Sequence, residues 1–251
     1  PPEKRFLING QDEPIDGDEA MKRALALALV SLGVLFARAA SVPAGYQAVA
    51  YIEATGSQFI NPNLTVGNST SLELKLTTST TTSGEIAFFG RDWNINQYLL
   101  TFQGGNFKFY GDGSSLGAIA ANRDYTVTAS NGTVSVLNES TQAKSTITGK
   151  NFSGGSGWNI FAASGGSHMG SYKLRSMKIW EAGGLVRDFH PCYTNTDSGE
   201  VIGLYDTVNE TFYVNAGTGA FLRGKETENY LWVTGAPDEY GEPICGSLTG
   251  Y

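Results

Sequence analysis

The sequence predicts an all-β protein in which short antiparallel strands form a sandwich or a barrel. Residues 71–76 ("SLELKL") place three leucines on one face and polar side chains on the other, which is the period of a half-buried strand. Asn131-Gly132 separates two alternating segments and is a strong hairpin signal, because both turn positions require positive φ. With 32 Gly and only 16% charged residues, the composition favours tight turns over helices.

Further strand-like segments follow along the chain, each bounded by Gly, Asn or Ser. They are residues 85–89, 97–102, 106–110, 125–128, 133–136, 158–162, 172–180 and 185–189. Residues 181–184 ("EAGG") predict the turn between the last two strands. We therefore expect one domain over residues 46–224, and a linker or the start of a further module at residues 225–251.

Residues 201–217 ("VIGLYDTVNETFYVNAG") predict a hairpin rather than an active site. The turn is expected at Asn209-Glu210, where Asn suits the first position and Glu occupies a position that favours Gly. This register would place Tyr205 opposite Val214 and give the hairpin a largely apolar face.

The N-terminal part contains the three segments of a secretory signal peptide. Basic residues 21–23 precede an apolar run at residues 24–36, and residues 37–39 ("ARA") have the small-x-small form of a cleavage site. The run is shorter than the roughly 20 residues that span a bilayer. We expect a signal-peptide helix at residues 21–40, a secreted product and no stable membrane span; a buried helix or a short anchor is the alternative. Residues 1–20 are expected to be disordered or upstream reading frame.

Charge and cysteine content narrow the classes of partner and cofactor. The net charge of -7 and the absence of any basic run argue against a nucleic-acid partner, because phosphate binding requires clustered Lys and Arg. Cys192 and Cys245 lack the paired spacing of a zinc site. Two unpaired thiols are expected, and a single disulfide is the alternative.

Both ends of the predicted domain resemble concanavalin A-like, LamG-type modules of secreted or surface proteins of bacteria and of phage proteins. Residues 51–60 ("YIEATGSQFI") resemble the opening of such modules. Residues 176–180 ("SMKIW"), 185–192 ("LVRDFHPC") and 203–221 resemble their closing strands. The resemblance implies two antiparallel sheets stacked as a jelly roll, with the first and last strands as neighbours. It implies no reaction, since related jelly rolls include lectins, laminin-type modules and glycosidases.

Residues 91–98 ("RDWNINQY") are the segment best equipped to bind a glycan. They follow a predicted strand end and combine aromatic rings, which stack on sugar rings, with amide and charged groups that bind hydroxyls. The candidate ligand-binding residues are Arg91, Asp92, Trp93, Asn94, Asn96 and Tyr98. The alternative is that Trp93 closes the edge of the sandwich. Trp158 is a weaker second candidate.

No residue pattern identifies a catalytic or metal centre. A glycosidase needs two carboxyl groups about the scissile bond, and no Glu-x-Asp-x-x-Glu run is present. Asp188 and His190 share a strand face, which the edge of a closing strand explains more simply than a triad. Asp112 is a candidate calcium ligand without a second carboxylate beside it, so no cofactor is predicted and a calcium site is the alternative. Glu53 and Arg187, in the opening and closing motifs, are expected to form an ion pair.

These observations predict a secreted, non-catalytic recognition or adhesion module at a cell surface, with a glycan as its expected ligand. A structural spacer within a longer multi-domain surface protein is the main alternative. A hydrolase or lyase that acts on polysaccharide is the third.

Overall fold

The computed structural model describes residues 42–79, 86–91, 98–109, 114–150, 152 and 155–227, with the backbone alone for residues 98–103 and 164. The chain divides into two units, Pro1–Ala39 and Ala40–Tyr251, and every described residue belongs to the second. The predicted signal peptide at residues 21–40, the segment at residues 1–20 and most of residues 225–251 lie outside the described residues.

The described residues fold almost entirely into β-strands joined by turns. The strands are β1 (Gln47–Ala48), β2 (Ile52–Thr55), β3 (Ile60–Val66), β4 (Thr70–Thr78), β5 (Ile86–Gly90), β6 (Tyr98–Gln103), β7 (Asn106–Phe109), β8 (Ser114–Ala118), β9 (Asp124–Ser130), β10 (Thr133–Asn138), β11 (Lys144–Thr148), β12 (Gly155–Ile160), β13 (Ser171–Glu181), β14 (Gly184–Thr196), β15 (Gly199–Asp206), β16 (Thr211–Val214) and β17 (Leu222–Arg223).

Two antiparallel sheets share one hydrophobic core. The larger sheet has the order β11-β10-β9-β4-β13-β14-β15-β16, and the smaller has the order β3-β12-β5-β6-β7-β8. Strand β4 buries Leu72, Leu74 and Leu76 against rings of the smaller sheet, as the alternating pattern predicts. Phe107 of the smaller sheet meets Tyr125 of the larger edge to face, with ring centroids 4.9 Å apart. The predicted all-β, two-sheet antiparallel fold class is confirmed.

The first and last strands of the domain are neighbours, also as predicted. Strands β13 and β14 pair from the turn at Glu181–Gly184 as far as Met177–Phe189, and beyond that pair they separate. Residues 47–55 fill the gap, because β1 pairs with β14 and β2 pairs with β13. Residues 222–227 run along the other edge of residues 47–55. Strand β17 pairs with β2, and the Thr227 N–H donates to the Ala48 carbonyl at 3.0 Å.

The expected ion pair between Glu53 and Arg187 is wrong. Strand β13 places Lys173 opposite Glu53 and Ile179 opposite Arg187, so about 20 Å of strand separates the two charges. Arg187 Nε instead lies 3.5 Å from Asp206 Oδ2.

The first of the two predicted hairpins is confirmed, and the second differs from its prediction in turn length and register. Asn131 and Gly132 form the two-residue turn between β9 and β10, with φ of +49° and +72°. The turn after β15 contains residues 207–210 instead of two residues, and Tyr205 lies opposite Phe212 rather than Val214. Glu210 does have a positive φ of +52°.

A buried carboxylate explains the longer turn. Asp206 is fully buried and accepts hydrogen bonds from the Val208 N–H at 3.1 Å and from Asn209 Nδ2 at 2.7 Å. These bonds satisfy the carboxylate only when residues 207–210 curl back over it. The Asp188 N–H also donates to Asp206 Oδ1 at 3.0 Å, so the curled turn adds two hydrogen bonds to a buried carboxylate that already has one backbone partner.

The Tyr172 side chain joins the two sheets. Its hydroxyl donates to the Phe88 carbonyl at 2.8 Å and accepts from the Phe161 N–H at 3.1 Å, so β13 of the larger sheet holds two backbone groups of the smaller. The ring stacks on Phe161 with centroids 4.4 Å apart. Burial raises the pKa of Tyr172 well above its ordinary value, so the phenol stays protonated and able to donate.

Tyr172→Phe is expected to lower the free energy of unfolding by about 1–3 kcal/mol, because it removes two buried hydrogen bonds between the sheets, although the Phe161 N–H still donates to the Phe88 carbonyl at 3.0 Å. Tyr213→Phe is the matched control, since Tyr213 is half-buried and its hydroxyl makes no hydrogen bond within the described residues. Denaturant unfolding of the three proteins measures both effects. Equal losses for the two variants would contradict a bridging role.

Candidate functional site

The predicted ligand segment connects two adjacent strands of the smaller sheet. Residues 91–97 join β5 to β6, and the Gly90–Tyr98 pair closes the connection. Asp92, Trp93, Asn94 and Asn96 lie outside the described residues, as does the Tyr98 side chain. Arg91 is therefore the candidate residue whose side chain has a described position.

Arg91 lies against the beginning of β12. A β-carbon at Gly155 would overlap the Arg91 guanidinium, so this contact requires glycine. Gly155 also has a φ of +149°, which glycine adopts more readily than other residues. The structure thus brings together a loop residue and a strand that is distant in the sequence.

Exposed hydroxyl and glycine groups continue from this contact. Ser156 and Gly157 are exposed, and Ser156 lies opposite exposed Thr65 of β3. We call Arg91, Thr65, Gly155, Ser156 and Gly157 the Arg91 rim. The Ser156 and Thr65 hydroxyls lie on the exposed face at one end of the smaller sheet. Gly155 pairs with buried Val66, so its β-carbon would point to the opposite face, where the Arg91 guanidinium lies.

The other described side chains on the outward face of the smaller sheet are polar, and among them Lys108 carries a charge. Asn61 and Asn63 are exposed on β3, and Ser115 is exposed on β8. Lys108 is a half-buried cation on β7. Amides and hydroxyls both donate and accept hydrogen bonds, which is the chemistry that recognises hydroxyl groups of a ligand.

Trp158 is a core residue rather than a second ligand platform. Its side chain is 1% exposed and packs on Phe89 and Phe152, with ring centroids at 5.0 Å and 5.7 Å. The adjacent Asn159 is buried and donates to the Ala163 carbonyl at 3.0 Å. The Trp158 ring therefore has no face for a sugar.

Asp188 and His190 do meet, as members of an ion-pair cluster. His190 Nε2 lies 3.0 Å from Asp188 Oδ1, and Lys178 Nζ lies 3.5 Å from the other carboxylate oxygen. No hydroxyl or thiol of the described residues hydrogen-bonds to His190. Burial alone would raise the pKa of Asp188, but the adjacent His190 and Lys178 bring this pKa below its ordinary value.

A second ion-pair cluster, on the outer face of the larger sheet, consists of two acids bridged by an arginine. Arg175 contacts Glu139 Oε1 at 2.9 Å and Asp124 Oδ2 at 3.6 Å. The Arg175 guanidinium holds the pKa of Glu139 below its ordinary value. This favours the charged form, whereas the general acid of a glycosidase requires a raised pKa.

The described part of the chain offers few residues that could bind a metal ion or act as a reactive thiol. It holds no group of three or more His, Cys, Asp or Glu side chains that would bind a metal ion. Cys192 is buried and unpaired, and burial raises the pKa of its thiol to about 12. Asp112 and Cys245 lie outside the described residues. No helix within those residues is long and apolar enough to cross a bilayer.

Trp180 is a half-buried aromatic residue that the sequence predicts only as part of a strand. On β13, Met177 and Ile179 are fully buried, whereas Lys178 and Trp180 are partly exposed on the opposite face. The alternation in "MKIW" is the signal that identifies this face.

The fold and these surfaces define a two-sheet antiparallel β-sandwich with polar outward faces. No protein-family model matches the chain, and neither a curated protein nor a solved structure matches it.

Asp188→Asn is expected to lower the free energy of unfolding at pH 7 by about 1–3 kcal/mol, because it removes the charge that faces His190 and Lys178. A folded-state pKa below that of the unfolded chain stabilises above about pH 4, and the effect is lost as the pH falls through the folded value. The difference from the unsubstituted protein should therefore shrink between pH 7 and about pH 3.

Denaturant unfolding at the two pH values measures this change. Asp197→Asn is the control, because Asp197 is exposed in the turn between β14 and β15. A difference for Asp188→Asn that does not depend on pH would show that the charge of Asp188 is not what stabilises the cluster.

Proposed function

We propose that the protein is a non-catalytic recognition or adhesion module of a secreted or surface protein, and that its ligand is a glycan. The observation that carries this proposal is the contact of Arg91 with Gly155, beside exposed Ser156 and Thr65. This contact holds the start of the predicted ligand segment on the rim of a sheet. Loops that a rigid scaffold positions are the usual location of binding residues.

The chemistry of the Arg91 rim suits a polyhydroxylated ligand. A sugar presents hydroxyl groups that both donate and accept hydrogen bonds, and a ring face that is largely apolar. Arg91 supplies donors in a fixed fork, while Ser156 and Thr65 supply groups that donate and accept. Trp93 and Tyr98 of the same segment supply rings for stacking.

The extracellular location and the family are parts of the same proposal. They are supported by the signal-peptide pattern at residues 21–40 and by the resemblance to concanavalin A-like modules. The adjacency of the two segments that carry this resemblance also supports it. Gln58 of the opening motif donates from Nε2 to the Ala220 carbonyl of the closing motif at 3.2 Å.

A glycan array tests the proposal with the full chain and three variants. Trp93→Ala and Gly155→Ala are expected to weaken a selective signal about tenfold or more, which corresponds to about 1.4 kcal/mol of binding free energy. Gly199→Ala is the matched control, because Gly199 lies outside the Arg91 rim, also has positive φ, and a β-carbon there meets no atom within 4 Å. Both glycine variants strain the backbone, and Gly155→Ala alone displaces Arg91.

Each other outcome favours a different class of protein. If the unsubstituted protein binds no glycan, the proposal fails and a structural spacer becomes the better interpretation. If the protein releases reducing sugar from a polysaccharide, it is an enzyme of this fold. Equal binding by all four proteins would show that glycan recognition lies elsewhere on the domain.

A further inference from the structure

Trp180 lies on the outer face of the larger sheet without a partner. It is partly exposed, and it makes no hydrogen bond or ring contact with the part of the chain that the structure describes. The alternation of β13 directs it away from the core that Ile179 enters. The accessible part of this large indole ring, beside exposed Leu185, indicates a candidate contact surface.

The neighbours of Trp180 form a row across six strands. Residues directly opposite each other in an antiparallel pair project from the same face of the sheet. Trp180 lies opposite Leu185 on one side and Ser71 on the other, and the Ser71 hydroxyl donates to Ser130 Oγ at 3.0 Å. We call this set the Trp180 row: Thr148, Thr133, Ser130, Ser71, Trp180 and Leu185.

The row is long enough for several consecutive sugar rings. From β11 to β13 it crosses four strand spacings of about 4.8 Å each, so it extends about 19 Å from Thr148 to Trp180. Thr148 and Ser130 are exposed, and Thr133 and Ser71 are half-buried. Leu185 is 40% exposed and continues the apolar surface beyond the indole.

A second row of hydroxyls lies one step further along the strands. Thr146, Ser135 and Thr128 occupy β11, β10 and β9, and Ser135 Oγ lies 3.0 Å from Thr146 Oγ1. Charge begins only at Glu73 of β4, opposite Thr128. The six side chains of the Trp180 row carry no charge, but Lys178 follows Trp180 in the next row and lies between Glu73 and Asp188. The hydroxyl-rich, neutral surface therefore lies on the β11 side of the indole.

We propose that the Trp180 row binds an extended neutral glycan chain. One sugar ring stacks on Trp180, and the hydroxyls of neighbouring rings hydrogen-bond to the serine and threonine hydroxyls along the row. This inference rests on the proposed function, because it keeps a glycan as the ligand. It adds a second binding surface, on the other sheet from the Arg91 rim, and restricts the ligand there to uncharged sugars.

The distribution of charge around the row favours a neutral glycan over other classes of ligand. A nucleic acid or an acidic polysaccharide requires cations, and no Lys or Arg belongs to the row. Lys178, in the next row, is already 3.5 Å from Asp188 and opposite Glu73. A protein partner would typically cover a larger apolar centre than one indole and one leucine.

Affinity electrophoresis of the full chain tests the inference. The gels contain a neutral glucan, a neutral mannan or polygalacturonate. Trp180→Ala is expected to weaken retardation by a neutral polysaccharide about tenfold, while Trp180→Phe retains most of it because a ring remains. Leu222→Ala is the control, since Leu222 is 54% exposed but lies outside the row. Unfolding midpoints of the variants verify that each protein is folded.

The outcomes separate this inference from the proposed function. If Trp93→Ala abolishes the retardation and Trp180→Ala leaves it unchanged, the Trp180 site is overturned but glycan binding by the protein is not. Stronger retardation by polygalacturonate than by the neutral polysaccharides overturns the neutral ligand. No retardation of the unsubstituted protein, together with no signal on the glycan array, overturns both.

Discussion

The position of the smaller sheet depends on the hydroxyl group of Tyr172. This side chain rises from β13 of the larger sheet and bonds to backbone groups at Phe88 and Phe161, one on each of two segments of the smaller sheet. The ring of Phe161 in turn packs on Phe221, beside the last strand. Phe88 lies on β5, three residues before Arg91, and Phe161 directly follows β12. The bridge therefore fixes the two strands that meet at the Arg91 rim.

Features with a local cause could be predicted from the sequence. The three leucines of β4 alternate with charged residues, so their burial on one face follows from the pleat alone. The Asn131-Gly132 turn requires positive φ at both positions, and these two residues tolerate it better than others. The adjacency of the first and last strands could be predicted from the resemblance of residues 51–60 and 203–221 to the two ends of one kind of module.

Features that depend on tertiary pairing could not be predicted in this way. The turn at residues 207–210 follows from burial of the Asp206 carboxylate, and the pattern of the hairpin alone does not reveal that burial. The register of β13 decides that Arg187 meets Asp206 rather than Glu53. Arg91 and Gly155 are 64 residues apart in the sequence, and only the pairing of β12 with β5 brings them together.

The two proposed glycan contacts belong to different sheets, which affects how they act together. The Arg91 rim belongs to the smaller sheet, and the Trp180 row lies on the outer face of the larger sheet, with a core layer about 10 Å thick between them. Two sites increase the affinity for one ligand only when that ligand reaches both. Under the two proposals, a short oligosaccharide would therefore occupy either surface independently. A long chain gains from both surfaces only if it passes around an edge of the sandwich, so the geometry favours contact with two separate chains.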